Sequence, residues 1–155
     1  VNGNTNPVDY TVDICLESGP DTTAPRILKT TPESGGKFKM GLTEIPLSVY
    51  MNEPAECKYD VIPGRDYNNM SNIMNCNTDV NDPGALGWQC DTNLTNLNND
   101  DNKFYIKCKD QPWYAGTENE SKRNANNDDY SYVLHGTKES LRIDYTKPSG
   151  EIVDV

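Results

Sequence analysis

The sequence predicts an all-β fold of the sandwich type, and three observations carry that expectation. Apolar residues recur at every second position in several short runs, the period of a half-buried strand. Clusters of Pro, Gly and Asn separate those runs. Helical spacing is confined to one short stretch. The chain has 155 residues, enough to enclose one core but not two full domains.

Residues 1–7 are polar and contain Gly, Pro and Asn, a lead expected to be disordered. Val8, Tyr10, Val12, Ile14 and Leu16 then alternate with Asp9, Thr11, Asp13, Cys15 and Glu17, giving one apolar stripe. Ser18-Gly19-Pro20 ends that run. A short strand is expected around Ile27 to Thr30, followed by a turn at Pro32 to Gly36. Ile45, Leu47, Val49 and Met51 form the next period-two run, broken by Asn52-Glu53-Pro54. Ala55 to Val61 resumes it with Cys57 and Tyr59. Tyr67, Met70, Ile73 and Met74 have the spacing of one or two helical turns, with Asp66 as the N-cap. A polar loop containing Asp82-Pro83-Gly84 lies between Cys76 and Cys90. Trp88 to Leu97 and Phe104 to Cys108 read as the arms of a hairpin around Asn98 to Asn102. Residues 111–129 are a long insertion rich in Asn and Glu. Tyr130 to Leu134 and Leu141 to Tyr145 supply a final bent or interrupted strand. About seven short strands in this arrangement make a β-sandwich.

The pattern Asp-x-Thr-x-Pro occurs twice, as Asp21-Thr22-Thr23-Ala24-Pro25 and as Asp144-Tyr145-Thr146-Lys147-Pro148. Each copy follows a strand-like run, and a spacing of roughly one domain separates them. The expected organisation is therefore threefold. Residues 1–20 are an N-terminal arm or the last strand of a neighbouring module. Residues 21–144 are the sandwich, and residues 145–155 are a tail resembling the first strand of a following module. A tandem array and a subunit whose ends reach into its neighbours both fit this pattern.

Asp-Thr-Thr-Ala-Pro (21–25), Asn-Glu-Pro-Ala-Glu-Cys-Lys-Tyr (52–59) and Phe-Tyr-Ile-Lys-Cys-Lys-Asp (104–110) resemble the Ig-like or fibronectin-III-like modules of archaeal and bacterial surface proteins. Tyr-Val-Leu (132–134) and Leu-Arg-Ile (141–143) extend the likeness, and residues 111–129 depart from it. The resemblance implies an Ig-like sandwich, to which the repeated motif adds extra N-terminal and C-terminal strands and the spacing at 66–74 one short helix. It also places Cys57 and Cys108 on adjacent strands of one sheet, where a bridge is expected if they sit opposite each other. Cys76 and Cys90 are expected to pair locally around the polar loop, with free buried thiols as the alternative. Cys15 is left over, available for intermolecular pairing or as a free thiol. Zinc is disfavoured because no Cys-x-x-Cys occurs and His135 is the sole histidine.

The formal net charge is −10 and the mean hydropathy −0.80. An acidic surface repels nucleic acid and anionic membrane, so neither is expected as a partner. No apolar run is long enough to insert directly into a membrane. Five Cys, with sequons at Asn69, Asn93 and Asn119, point to an extracellular or cell-surface location and to glycosylation. Asp79, Asn81 and Asp82 alternate oxygen ligands as calcium favours, yet too few for its six to eight oxygens. That loop, Asp100-Asp101 and Asp128-Asp129 read as solvated acidic turns. Trp88 is expected in the core. Trp113 and Tyr114, in the insertion, are candidates for ligand contact. No cofactor is expected, and no nucleophilic triad or paired-carboxylate active site is visible, so no enzyme is expected. The expected function is an extracellular structural or assembly module, a subunit or repeat of a surface filament or surface protein. Strand addition through Val8, Tyr10, Val12, Ile14 and Leu16 would join copies or tandem modules head to tail. The alternative is an adhesion or carbohydrate-binding module with its site in residues 111–129.

Overall fold

The structure is a computed structural model describing residues 20–137, with the backbone of 142–143 and 152–153. The arm stripe from Val8 to Leu16, Cys15, and the second Asp-x-Thr-x-Pro motif lie outside the described residues. Among the described residues the strands are β1 (Ile27–Thr31), β2 (Gly36–Phe38), β3 (Glu44–Met51), β4 (Ala55–Asp60), β5 (Asn72–Ile73), β6 (Asn75–Cys76), β7 (Trp88–Thr95), β8 (Asp101–Asp110), β9 (Tyr130–Gly136), β10 (Arg142–Ile143) and β11 (Ile152–Val153). One sheet has the order β1-β3-β7-β6 and the other β2-β9-β8-β4-β5. Among the described residues β10 and β11 pair with each other alone.

The two sheets enclose one core. Ile45, Leu47, Val49 and Met51 enter it from β3, Leu94 from β7, Phe104 and Ile106 from β8, and Tyr132 and Leu134 from β9. Alternation along β3 puts every second side chain inside. Each fully buried aliphatic stabilises the fold by about 1.5–3 kcal/mol relative to an exposed one. Between β1 and β2 the chain changes sheets at Thr31-Pro32, a cis peptide. β1 leaves β3 at Ser48, so Pro46 lies beyond the β1 pairing, where its missing N–H costs no ladder bond.

The chain enters at one end of the sandwich and leaves at the other. Ile27 pairs with Met51, and Met51 with Trp88, at the entry pole. β2 runs parallel to β9, Gly36 opposite Leu134 and Phe38 opposite Gly136. Both strands head toward the exit pole, where His135 pairs with Asp101.

Cys57 is bonded to Cys108 and Cys76 to Cys90. Each bridge joins directly opposed residues of neighbouring antiparallel strands. The Cys57 carbonyl accepts from Met74, and the Cys108 carbonyl accepts from Asn126. Both cysteines therefore direct their backbone groups away from each other, as residues of a non-hydrogen-bonded pair do, and there side chains approach most closely.

Four expectations need correction. β7 and β8 are not a hairpin, for they belong to different sheets. Asn96, at φ 58°, turns the chain out of β7. The Asn102 side chain then holds the Asn98 and Asp100 carbonyls, and Gly136 N–H bonds the Asp100 carbonyl, drawing the loop toward β9. The expected helix at 66–74 is a single 3-10 turn, Tyr67–Asn69, and Asp66 makes no side-chain cap. The Asp60 carboxylate takes the N–H groups of Ile62 and Ser71, which pulls Asn72–Ile73 back onto β4 as β5 and leaves Ile73 exposed. Further 3-10 turns occur at Pro112–Tyr114 and Glu120–Lys122. Arg142–Ile143 does not continue β9 but pairs with Ile152–Val153. Trp88 is half-buried outside the core, its indole N–H donating to the Asp79 carbonyl.

Candidate functional site

The insertion 111–129 is stitched to the sandwich at the entry pole. Asn124 and Asn126 continue the line of β9 along the end of β8, through Asp110 N–H to the Asn124 carbonyl and Asn126 N–H to the Cys108 carbonyl. Their side chains also donate to the Asp21 and Pro25 carbonyls. The first Asp-x-Thr-x-Pro motif is thereby fixed against the insertion.

Arg123 is the hub of this region, its side chain 3% exposed. Its Nε donates to the Asp110 carbonyl at 2.8 Å, and one terminal nitrogen donates to Glu56 at 2.6 Å. The other terminal nitrogen lies 3.5 Å from Glu120, which also accepts from Lys109. The Lys109 ammonium, with the Gly116 N–H and the Arg123 charge, outweighs the opposing effect of burial and holds the Glu120 carboxyl down to about 2. The stabilisation this gives is present above the ordinary carboxylate range and is lost as pH falls toward that value. Sequence reading passed over Arg123. Its one signal was a lone Arg in an Asn-rich stretch beside a strand end carrying Lys107, Lys109 and Asp110.

Asp129, expected as part of a solvated turn, is instead half-buried. It accepts the Gly64 N–H at 2.6 Å and lies 3.5 Å from the buried Lys107 ammonium.

Three carboxylates meet beside this hub. Asp21, Glu53 and Asp110 bring oxygens within 4.8 Å of one another. Asp110 is fully buried, and its two oxygens accept the Asn124 backbone and side-chain N–H groups. The Thr23 backbone N–H is the main influence holding the Asp21 carboxyl below its usual range. Burial, then the charges of Asp21 and Asp110, push the Glu53 carboxyl up. Ionised Glu53 therefore opposes folding at neutral pH, and that penalty fades as pH falls through its raised value. Glu53→Gln should raise the melting temperature at pH 7 and bring no gain below about pH 4, where Glu53, its carboxyl pushed up, is itself largely neutral. Thermal melts at the two pH values check this, and equal shifts at both would exclude a charge origin. These three residues could share a divalent cation. Asp79 and Asn81 instead close their own turn, the Asp79 carboxylate accepting from the Asn81 backbone and side chain. Asp82 is exposed in the same loop.

A polar groove of about 510 Å³ lies over the outer face of β4. Glu120 and Arg123 of the insertion wall one side, Asn75 and Cys76 the other, with Lys58 and Tyr67 between them. Tyr67 has the Lys58 ammonium 4.8 Å from its ring centre, and burial pushes its hydroxyl up to about 12. Trp113 and Tyr114 stand outside this groove, packed edge to face at 6.0 Å with Trp113 51% exposed. Of the sequon residues, Asn69 and Asn93 are exposed and Asn119 is half-buried.

Among the described residues, no helix is long and apolar enough to cross a membrane. Comparison with protein-family models, with curated proteins and with solved structures finds no match to this chain.

Proposed function

We propose that the chain is an Ig-like structural module of an extracellular or cell-surface assembly, joined head to tail by strand addition. The observation that carries this reading is the opposed placement of chain entry and exit, which suits modules stacked end to end. The strand orders support the Ig-like assignment, because the two sheets match the ABED and CFG sets of such sandwiches with β2 added beside β9 and β5 beside β4. Two core disulfides favour an oxidising compartment, and sequons that reach solvent suit a glycosylated surface. The module serves no catalysis and needs no cofactor in this reading, and its partners are copies of itself or adjacent modules. A second reading, glycan adhesion, draws on the half-exposed Trp113 beside Tyr114 and on the polar groove walled by Glu120 and Arg123.

Electron microscopy with sedimentation of the purified chain tests the choice. Regular polymers that disappear in Val12→Asp/Ile14→Lys, with the melting temperature unchanged, are expected. A monodisperse monomer that binds immobilised glycans would replace the assembly reading with adhesion.

A further inference from the structure

We infer that the exit-pole half of the β7 edge, with the cleft behind it, is the acceptor for residues 8–12 of a second copy of this chain. This rests on the head-to-tail reading and says where the joint forms.

β7 has a complete neighbour on one side only. β3 pairs with it from Trp88 to Thr95. On the other side β6 reaches only Cys90 and Asp91, with one further bond from Asn77 N–H to the Gln89 carbonyl. Backbone groups alternate sides along a strand, so Gln89 and Asp91 facing β6 means that Asn93 and Thr95 face the same way. No described strand covers them there. The Asn93 carbonyl instead receives the Tyr59 hydroxyl from the opposite sheet, at 3.4 Å. An unpaired edge of this kind is a template for another strand.

Behind that edge the sandwich is open. A cleft of about 470 Å³ runs between Thr95 on one sheet and Tyr59 and Val61 on the other, with Phe104 in its wall. Tyr59 and Phe104 pack edge to face at 6.0 Å, and Val61 is 62% exposed. A strand beside Asn93 and Thr95 would send alternate side chains over these aromatics. The site combines the Asn93 N–H and the Thr95 backbone groups, which no described strand takes, with a cleft that carries Tyr59, Val61 and Phe104 among polar residues for every second side chain to cover, the two components of strand addition.

Polarity selects the occupant. The arm joins its own module at Pro20, on the entry pole, where the Asp21 carbonyl is tied to Asn124 beside Asp110 and Ala55. The open half of β7 is at the exit pole, with Thr95 opposite Glu44. β6 occupies the part of the edge nearest that arm's root. An arm reaching the open half without displacing β6 therefore comes from a copy stacked beyond the exit pole, and runs parallel to β7. Four residues of open edge span about 13 Å at about 3.3 Å per residue, so the tip of the arm suffices. Val8, Tyr10 and Val12 then face the cleft and Asp9 and Thr11 face solvent, leaving residues 13–19 to cross between modules.

Cysteine crosslinking of the full chain, carrying Cys15→Ser, tests the joint. Chains with Thr95→Cys are mixed with chains carrying Asp9→Cys or Thr11→Cys and read on non-reducing gels. A mixed-chain dimer is expected with at least one arm position. It should be lost when Lys29→Cys, on the outer face of the other edge strand, replaces Thr95→Cys. Thr95→Pro, which removes an outward N–H and spares the β3 ladder, should abolish polymers without lowering the melting temperature. Crosslinking at Lys29→Cys as strong as at Thr95→Cys, or only within a chain carrying both cysteines, would overturn the inference. Polymers that form without any Thr95→Cys crosslink would discard this acceptor and keep the head-to-tail reading. Absence of polymers from the unmutated chain would discard both.

Discussion

Replacing Cys57 and Cys108 together by alanine should lower the unfolding free energy by about 4 kcal/mol in the chain-entropy model. The bridge spans 51 residues of sequence and ties β4 to β8 at a fully buried position. The same replacement at Cys76 and Cys90, 14 residues apart, should cost about 3 kcal/mol. The short loop is nested within the long one, so the two losses should not simply add. Urea unfolding of both double variants measures the difference. An equal or larger loss at the shorter loop would show that the bridges act mainly through native packing rather than through the unfolded chain.

Arg123→Met should cost about 3 kcal/mol, in line with removal of one partner from a buried ion pair. The Asp110 carbonyl loses its 2.8 Å donor, and Glu56 and Glu120 lose their shared cation. Both carboxylates are 42% exposed and can turn to water, which keeps the loss at the lower end of that range. Arg123→Lys should recover only part of it, because one ammonium cannot reproduce a planar fork aimed at three acceptors. Urea unfolding with amide exchange along 111–129 checks both variants. A destabilisation that leaves exchange in the insertion unchanged would contradict the assigned role of Arg123 as its anchor.

Strands that bury one face were legible in the sequence, as β3 shows. Its four alternating apolar residues all lie in the core, and no distant contact was needed to identify it. Cys57 and Cys108 were legible as neighbours through the motifs around them, since the strands carrying those motifs do pair. β2 was not legible. Its three residues have no pattern of their own and become a strand only by lying beside β9, about a hundred residues later. Trp88-to-Leu97 and Phe104-to-Cys108 looked like a hairpin because apolar alternation marks strands without saying which strand lies alongside. Asn96 and the Asn102 side chain, not the alternation, send them to different sheets. The spacing of Tyr67, Met70 and Met74 was a true burial signal that imitated a helix. Those side chains are inside, but Asp60 claims the Ser71 N–H that a longer helix would have used.

Around the candidate site, Asp21 was visible as a motif residue, whereas its closeness to Glu53 and Asp110 was not. Three carboxylates far apart in sequence become neighbours only because β3 and β8 end, and β4 begins, at the same pole. Trp113 is half-exposed beside the half-buried Tyr114. The groove nearby is built from Tyr67, Glu120 and Arg123, which no local pattern links.

The parallel pairing of β2 with β9 has a mechanical consequence. In a row of such modules, tension enters near Pro20 and leaves near Thr137, so it acts along the strands rather than across them. The β2–β9 bonds then bear the load together, in shear, instead of being peeled apart one by one. An arm lying parallel to β7 would be loaded the same way. Resistance to pulling is set by the rate of unfolding rather than by equilibrium stability. Short ladders at both places would therefore hold longer under steady tension than their few bonds would if opened like a zip.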